Sequence, residues 1–443
     1  MRKRGHRNPA PLFALAGMTL LTSAALAQQP QSGWSIGSPG SAGSTGSAGS
    51  AGSTDAPLPY SPSATAAAQG DPAQSGGITL KLMGEIVTVH PSVRLELRHD
   101  DNVYLAPSGR IADQILVLIP AVRLEARKAA NSFSLRLSTT LGQYQKNTAD
   151  NYTNYNVSGL ANLILSTRLR ARISGDYLNA TDPRGSTNDA NSAVPSAYDQ
   201  LQGRGIVSYG AQGAKGRIDV ELGYLRRRYH NNREITAGND RDVGDIGATF
   251  YWRVGPRTSL LLQGKHSKID YTLPASTLGS IENALLAGAV WDATAKTTGT
   301  FKIGMVKKDF EDAGRDSSRA ISWTGEVRWS PLTYSHVDVN LTRAPAETTG
   351  GVGNFIDRTS TGTRWTHDWS SRLTTQASAS YLTDAYQGVA RTDNTQNYGM
   401  NATYKMRRWL SFGGDYAHST RSSDNSGFAY QRNVFMLFVN AAL

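Results

Sequence analysis

From about Ile86 to the last residue, apolar side chains recur at every second position, and this period constrains the fold more than any other feature of the chain. Val93, Leu95 and Leu97 alternate with Arg94, Glu96 and Arg98. Leu169, Ala171 and Ile173 alternate with Arg168, Arg170 and Arg172, and Val337, Val339 and Leu341 alternate with Asp338 and Asn340. Successive side chains of a strand point to opposite faces, so each such segment carries one apolar and one polar face. No long segment repeats at 3.6 residues, and nothing after the N-terminal leader approaches 18 consecutive apolar residues, so no spanning helix is expected.

The connections alternate as well. Eight short ones, such as 213–216 and 407–408, take turns with nine long polar ones, such as 99–112, 178–198 and 385–393. Seventeen connections predict an all-β transmembrane antiparallel β-barrel of about 18 strands, give or take two, with short turns at the periplasmic end and long loops outside. The length of 178–198 makes it a candidate constriction or lid over the lumen. A barrel also accounts for a hydrophobic content of only 39%, because one face of each strand suffices for lipid. A soluble sandwich would fill its apolar face with a core instead. Trp252, Trp291, Trp329, Trp365, Trp369 and Trp409 stand beside the short turns, with Phe133 and Tyr334. That placement fits an aromatic girdle at the headgroup level. The chain ends in one more alternating strand, Phe435, Leu437, Val439, Ala441 and Leu443, as expected of a segment recognised on outer-membrane insertion.

The first residues read as an address. Arg2, Lys3, Arg4 and Arg7 precede an apolar run from Leu12 to Leu21 and a small-x-small site at Ala25 and Ala27. This predicts a secretory signal peptide over 1–27. Residues 28–77 are rich in Gly, Ser and Ala and predict a disordered periplasmic tether, leaving 78–443 for the barrel. The expected location is the outer membrane of a Gram-negative bacterium. Losing the leader lowers the net charge from +11 to +7. Zero Cys excludes a disulfide scaffold and a thiol nucleophile.

A cation facing lipid at mid-depth costs about 2–4 kcal/mol, so charges on the polar face should point into the lumen. The pore-lining candidates are Arg94, Arg98, Arg123, Arg127, Arg136, Arg168, Arg170, Arg172, Lys302, Arg328 and Arg364. Glu96, Glu125, Asp219, Glu221 and Glu326 share that face. Two readings follow: an Arg–carboxylate lattice that stiffens the wall, or a basic lining that conducts an anionic substrate. No catalytic motif is present, the eight His are scattered without metal spacing, and no cofactor or metal is expected. No basic run with interleaved aromatics suggests nucleic acid.

The opening of the barrel is similar to a known family. Val89 and Pro91, then Arg98-His99-Asp100-Asp101-Asn102-Val103, then Asp113, Ile119 and Pro120 resemble the first two strands of the β-barrel porin family that includes the EpsL-type exopolysaccharide proteins. The family's motif falls here on Arg98, Asp100, Asp101, Asn102 and Pro120, and no catalytic role attaches to them. The resemblance implies an outer-membrane channel for exopolysaccharide export, working with periplasmic or inner-membrane synthesis machinery, and the basic lining makes an anionic polymer the expected cargo. Its expected partners are outer-membrane lipid and the polysaccharide, with no nucleic acid. The alternatives are a general or anion-selective solute porin, and a barrel enzyme with a loop-borne site.

Overall fold

The structure, a computed structural model, describes residues 77–82, 85–185, 192–211, 213–294, 296–348 and 352–443. The expected signal peptide, and the expected tether apart from Gly77, lie outside the described residues.

A short strand, β1 (Ile78–Leu82), folds back on the start of β2 (Glu85–Asp100), with Ile78 opposite Val89. Each strand from β2 onward pairs antiparallel with the next: β3 (Asp113–Lys128), β4 (Asn131–Tyr144), β5 (Tyr152–Ile164), β6 (Leu169–Asp182), β7 (Ser196–Tyr209), β8 (Gly216–Tyr229), β9 (Arg241–Gly255) and β10 (Thr258–Tyr271). The series continues through β11 (Ser280–Thr294), β12 (Thr297–Phe310), β13 (Ser318–Leu332), β14 (Ser335–Ala346), β15 (Phe355–Asp368), β16 (Leu373–Gln387), β17 (Arg391–Lys405), β18 (Leu410–Ser423) and β19 (Tyr430–Ala442). The last strand returns to the first: Leu437 sits opposite Leu97 and Val434 opposite Asp100. The result is a closed barrel of 18 strands, β2 to β19. Closure pairs every strand on both sides, which lets a sheet stand in hydrocarbon.

The period of two sets the faces. On β2, Leu95 and Leu97 face outward at 45% and 50% exposure, while Glu96 between them is wholly buried in the interior. Leu260 and Leu262 of β10, Ile303 and Met305 of β12, and Phe435, Leu437 and Val439 of β19 share the outer surface. Trp252, Trp329, Trp365, Trp369 and Trp409 are exposed near the short turns, and Trp291 is half-buried there. Trp323, the other Trp described, lies toward the long loops and stacks on the Arg343 guanidinium at 5.2 Å.

The barrel strands run 12 to 16 residues, longer than the 9–11 or so that span a membrane, so they continue past it. This shortens two expected loops. The span 178–198 is strand up to Asp182 and again from Ser196, and Leu178, Ala180 and Tyr198 are buried lumen residues. The expected long loop at 385–393 is a turn of residues 388–390. Above the membrane both faces of a strand meet polar surroundings, so Thr, Asn and Asp there read as loop. Among the described residues, no helix is long and apolar enough to cross a membrane. The one α-helix described, α1 (Arg233–Thr236), is a single turn in the loop between β8 and β9.

Candidate functional site

The lumen is lined by the inner faces of the 18 strands. Register places Arg94, Arg98, Arg123, Arg127, Arg136, Arg170, Arg172, Lys302, Arg328 and Arg364 on that face. Arg168 is the exception: it lies in the turn before β6 and is exposed. Glu96, Glu125, Asp219, Glu221 and Glu326 also face inward.

The inner wall carries more carboxylates than the alternation near mid-strand reveals. Arg358 binds Asp384 through two bonds of 2.6 and 2.7 Å, and Arg391 binds Asp393 at 2.5 Å. Arg328 reaches Asp338 at 2.5 Å and Arg204 reaches Glu221 at 2.5 Å. Lys265 lies 3.5 Å from Asp245. Cation–π contacts add to this, with Arg217 4.0 Å over Tyr251 and Arg94 3.7 Å over Phe438. Asp338, Asp384, Asp393 and Asp245 keep the same period of two, but most sit toward strand ends where the apolar partner face thins out. Much of the wall is therefore a lattice of paired charges lying flat along the sheet. Inner-face glycines make room for it. A Cβ on Gly142 would meet the Tyr152 ring at 2.2 Å, and one on Gly223 would meet the Asp245 carboxylate at 2.5 Å.

The family-like string closes the barrel. Glu96 is clamped between Arg94, at 2.5 Å, and Arg98, whose Nε donates at 2.8 Å. Asp100 accepts from Arg432 of the last strand at 2.9 Å. Asp101 accepts from the backbone and side-chain amides of Asn433 at 2.6 and 2.7 Å. The Asn102 side chain donates to the carbonyls of Ala106 and Gln431 at 2.8 and 2.9 Å. Asp100, Asp101 and Asn102 thus hold β2 to β19, and the next loop folds inward, burying Val103 and Leu105 in the lumen mouth. Pro120 faces outward on β3, where pairing with β4 skips Ile119 and Pro120 because proline has no N–H to give.

At the other side of the mouth, Glu347, the first residue after β14, reaches across to two other strands. It accepts from Lys308 of β12 at 2.7 Å and from the Tyr271 hydroxyl of β10 at 2.6 Å, and Lys308 also binds Glu282 at 2.8 Å. Burial alone would raise the Glu347 pKa, but the Lys308 ammonium, the Arg241 guanidinium and the two donated bonds outweigh it and hold the carboxyl below its usual range. A depressed folded pKa contributes stability above the unfolded value of about 4.3, and that stability is lost as pH falls through the lower folded value. Thermal unfolding of the parent and of Glu347→Gln should therefore differ most near neutral pH. The gap should shrink steadily as the pH drops below about 4.

Inner-face burial is uneven along the axis. Toward the long loops, Leu178, Tyr198, Tyr229, Ile356 and Tyr386 are buried. Toward the short turns, Arg123, Arg136, Arg172, Ser208 and Ser378 remain half-exposed. Tyr251, Thr366, Ser411 and Asn440, also on the inner face near the short turns, are buried as well, so burial varies around the ring as much as along the axis. Two concavities, of about 700 and 540 Å³, lie on the outer wall over small residues such as Ala402, Gly414, Gly159 and Gly175, and face lipid rather than the lumen.

A closed, outward-apolar, inward-charged barrel of this size defines an outer-membrane channel protein of the porin class. Residues 83–443 match the family described as Putative beta-barrel porin 2, and the chain belongs to that family. No curated protein matches the chain. Among solved structures it is similar to OpdO of Pseudomonas aeruginosa, at 14% identity and a TM-score of 0.46, over 81% of this chain and 97% of that one. It is also similar to OccAB3 of Acinetobacter baumannii (9%, TM-score 0.45, 81% and 99%) and OprD of Pseudomonas aeruginosa (11%, TM-score 0.42, 80% and 95%). Family and fold point to a channel rather than an enzyme.

Proposed function

We propose that this protein is a passive outer-membrane channel that passes small polar solutes and favours anions. The observation that carries the reading is the inner face of β3 to β6 toward the short turns. There Arg123, Arg127, Arg136, Arg170 and Arg172 face the lumen, with Glu125 and Asp176 as the nearby carboxylates. Elsewhere cations and carboxylates largely neutralise one another, so this stretch sets the sign of the field. A water-filled passage with low-dielectric walls concentrates that field and enriches counter-ions. Transport needs no chemistry. A solute exchanges bulk water for a polar wall.

In planar bilayers the purified protein should conduct, with a reversal potential in a salt gradient that reports anion preference. A cation-selective or silent protein would overturn this reading.

Export of an anionic exopolysaccharide is the second reading. It is favoured by the likeness of the Arg98 to Asn102 stretch to the EpsL-type proteins, and it adds a synthesis apparatus as partner. A strain lacking the gene should then retain polymer in the periplasm, and normal surface polymer in that strain would sink it.

A further inference from the structure

We propose that the periplasm-facing half of the lumen holds a docking site for groups with several closely spaced anionic oxygens, built on the wall formed by β3 to β6. The site rests on the channel reading and sharpens it: it names a ligand class and a side of entry.

Arg123 and Arg136 are direct cross-strand partners on the inner face, so two guanidinium groups are held side by side. His90 is the next partner in that row, opposite Arg123. Like charges directly opposite one another destabilise a sheet. Glu125 moderates this at 3.3 Å from Arg123 and 3.8 Å from His90, yet Arg127, Arg172 and Arg170 lie farther toward the turns on the same wall. The opposite wall is built differently. On β13 and β14, Arg328 is neutralised by a two-pronged bond to Asp338, and Arg364 on β15 is Asp338's cross-strand partner. The basic excess is therefore on one side of the lumen, half-exposed, and toward the short turns.

Guanidinium forks suit carboxylate and phosphate oxygens because two parallel N–H bonds match two oxygens. A pair of forks on adjacent strands spaces those oxygens at a strand separation, about 5 Å. Single monovalent anions gain little from such a pair, whereas a tripolyphosphate or an oligouronate can bridge it. On the loop side of the site the chain folds inward, with Leu105 buried and Val103 packed on Ile115 and Val117 of β3, so a bulky ligand meets the site more readily from the periplasmic end.

The test uses the full barrel in planar bilayers and in detergent micelles, with tripolyphosphate and trigalacturonate as separate probes. The chain has no Cys, so a thiol label at Ser426→Cys, in an exposed long loop, reports insertion orientation. We expect current block by probe added to the short-turn side, weaker or absent block from the loop side, and loss of block by about tenfold or more in R123Q/R136Q. Arg364→Gln, which removes a charge from the opposite wall, should leave the block nearly unchanged. Slow, heat-modifiable migration in gels verifies that each variant is folded. A phosphate-only or uronate-only response identifies the source of the oxygens and supports the site in either case.

Equal block from both sides, or block that survives in R123Q/R136Q, would overturn the site while leaving the channel intact. A protein that does not conduct but binds probe calorimetrically, with binding lost in the double variant, would keep the site and end the channel reading. Neither conduction nor binding would end both.

Discussion

Leu262→Arg is expected to destabilise the folded barrel by about 2–4 kcal/mol, the cost of placing a cation against hydrocarbon near the midplane. Leu262 lies on the apolar outer face of β10, two residues beyond Leu260, with half its surface on the outer wall, flanked on neighbouring strands by Phe250 and Ala287. The same residue type introduced at Asn340, half-exposed on the inner face of β14 and directly opposite Glu326, should shift stability by less than about 1 kcal/mol. Urea titrations of protein folded into lipid vesicles measure both. Equal costs at the two positions would mean that the inner and outer faces are exchanged.

The second large effect concerns the seam. Glu96 has no exposure to solvent and sits between Arg94 and Arg98. Removing it strands two guanidinium groups in the wall, and breaking a buried pair in this way costs about 3–5 kcal/mol. Glu96→Ala should therefore approach the penalty of a charge in lipid although it removes one. Replacing Arg94, Glu96 and Arg98 together by apolar residues should cost far less, because no orphaned charge remains. Unfolding midpoints of the single and triple variants decide the matter; a triple variant as unstable as Glu96→Ala would refute it.

The strand number and the identity of the two faces could be read from the sequence because lipid imposes a strict demand on every second residue. Leu95 and Leu97 have no alternative to the outer wall. Strand ends were harder. At Asp384 and Asp393, and at Leu178 and Tyr198, both sides of the sheet stand above the membrane, and the alternation that marks a spanning segment fades. That is why the partners of Arg358 and Arg391 are evident only in three dimensions, and why the lumen looks more basic in sequence than it is. Contacts such as Glu347 with Tyr271 depend on curvature of the whole ring, which no local pattern encodes. The string from Arg98 to Asn102 shows a further difference. It stands out as a motif, but the last-strand partners of Asp100, Asp101 and Asn102, which are Arg432, Asn433 and Gln431, are more than 320 residues away.

That separation makes the wall an all-or-nothing object. In a stack of repeats, losing the last unit shortens the structure by one step. Here, losing the thirteen residues of β19 would turn a ring into a curved ribbon with two raw edges, one of them β2 with its waiting Asp100, Asp101 and Asn102. Exposed edges recruit other strands. A chain truncated before Tyr430 should be not a slightly smaller pore but a nucleus for association. The few polar bonds at the seam act as the clasp of a bracelet: they contribute little to its bulk, yet only when they are fastened does it enclose anything.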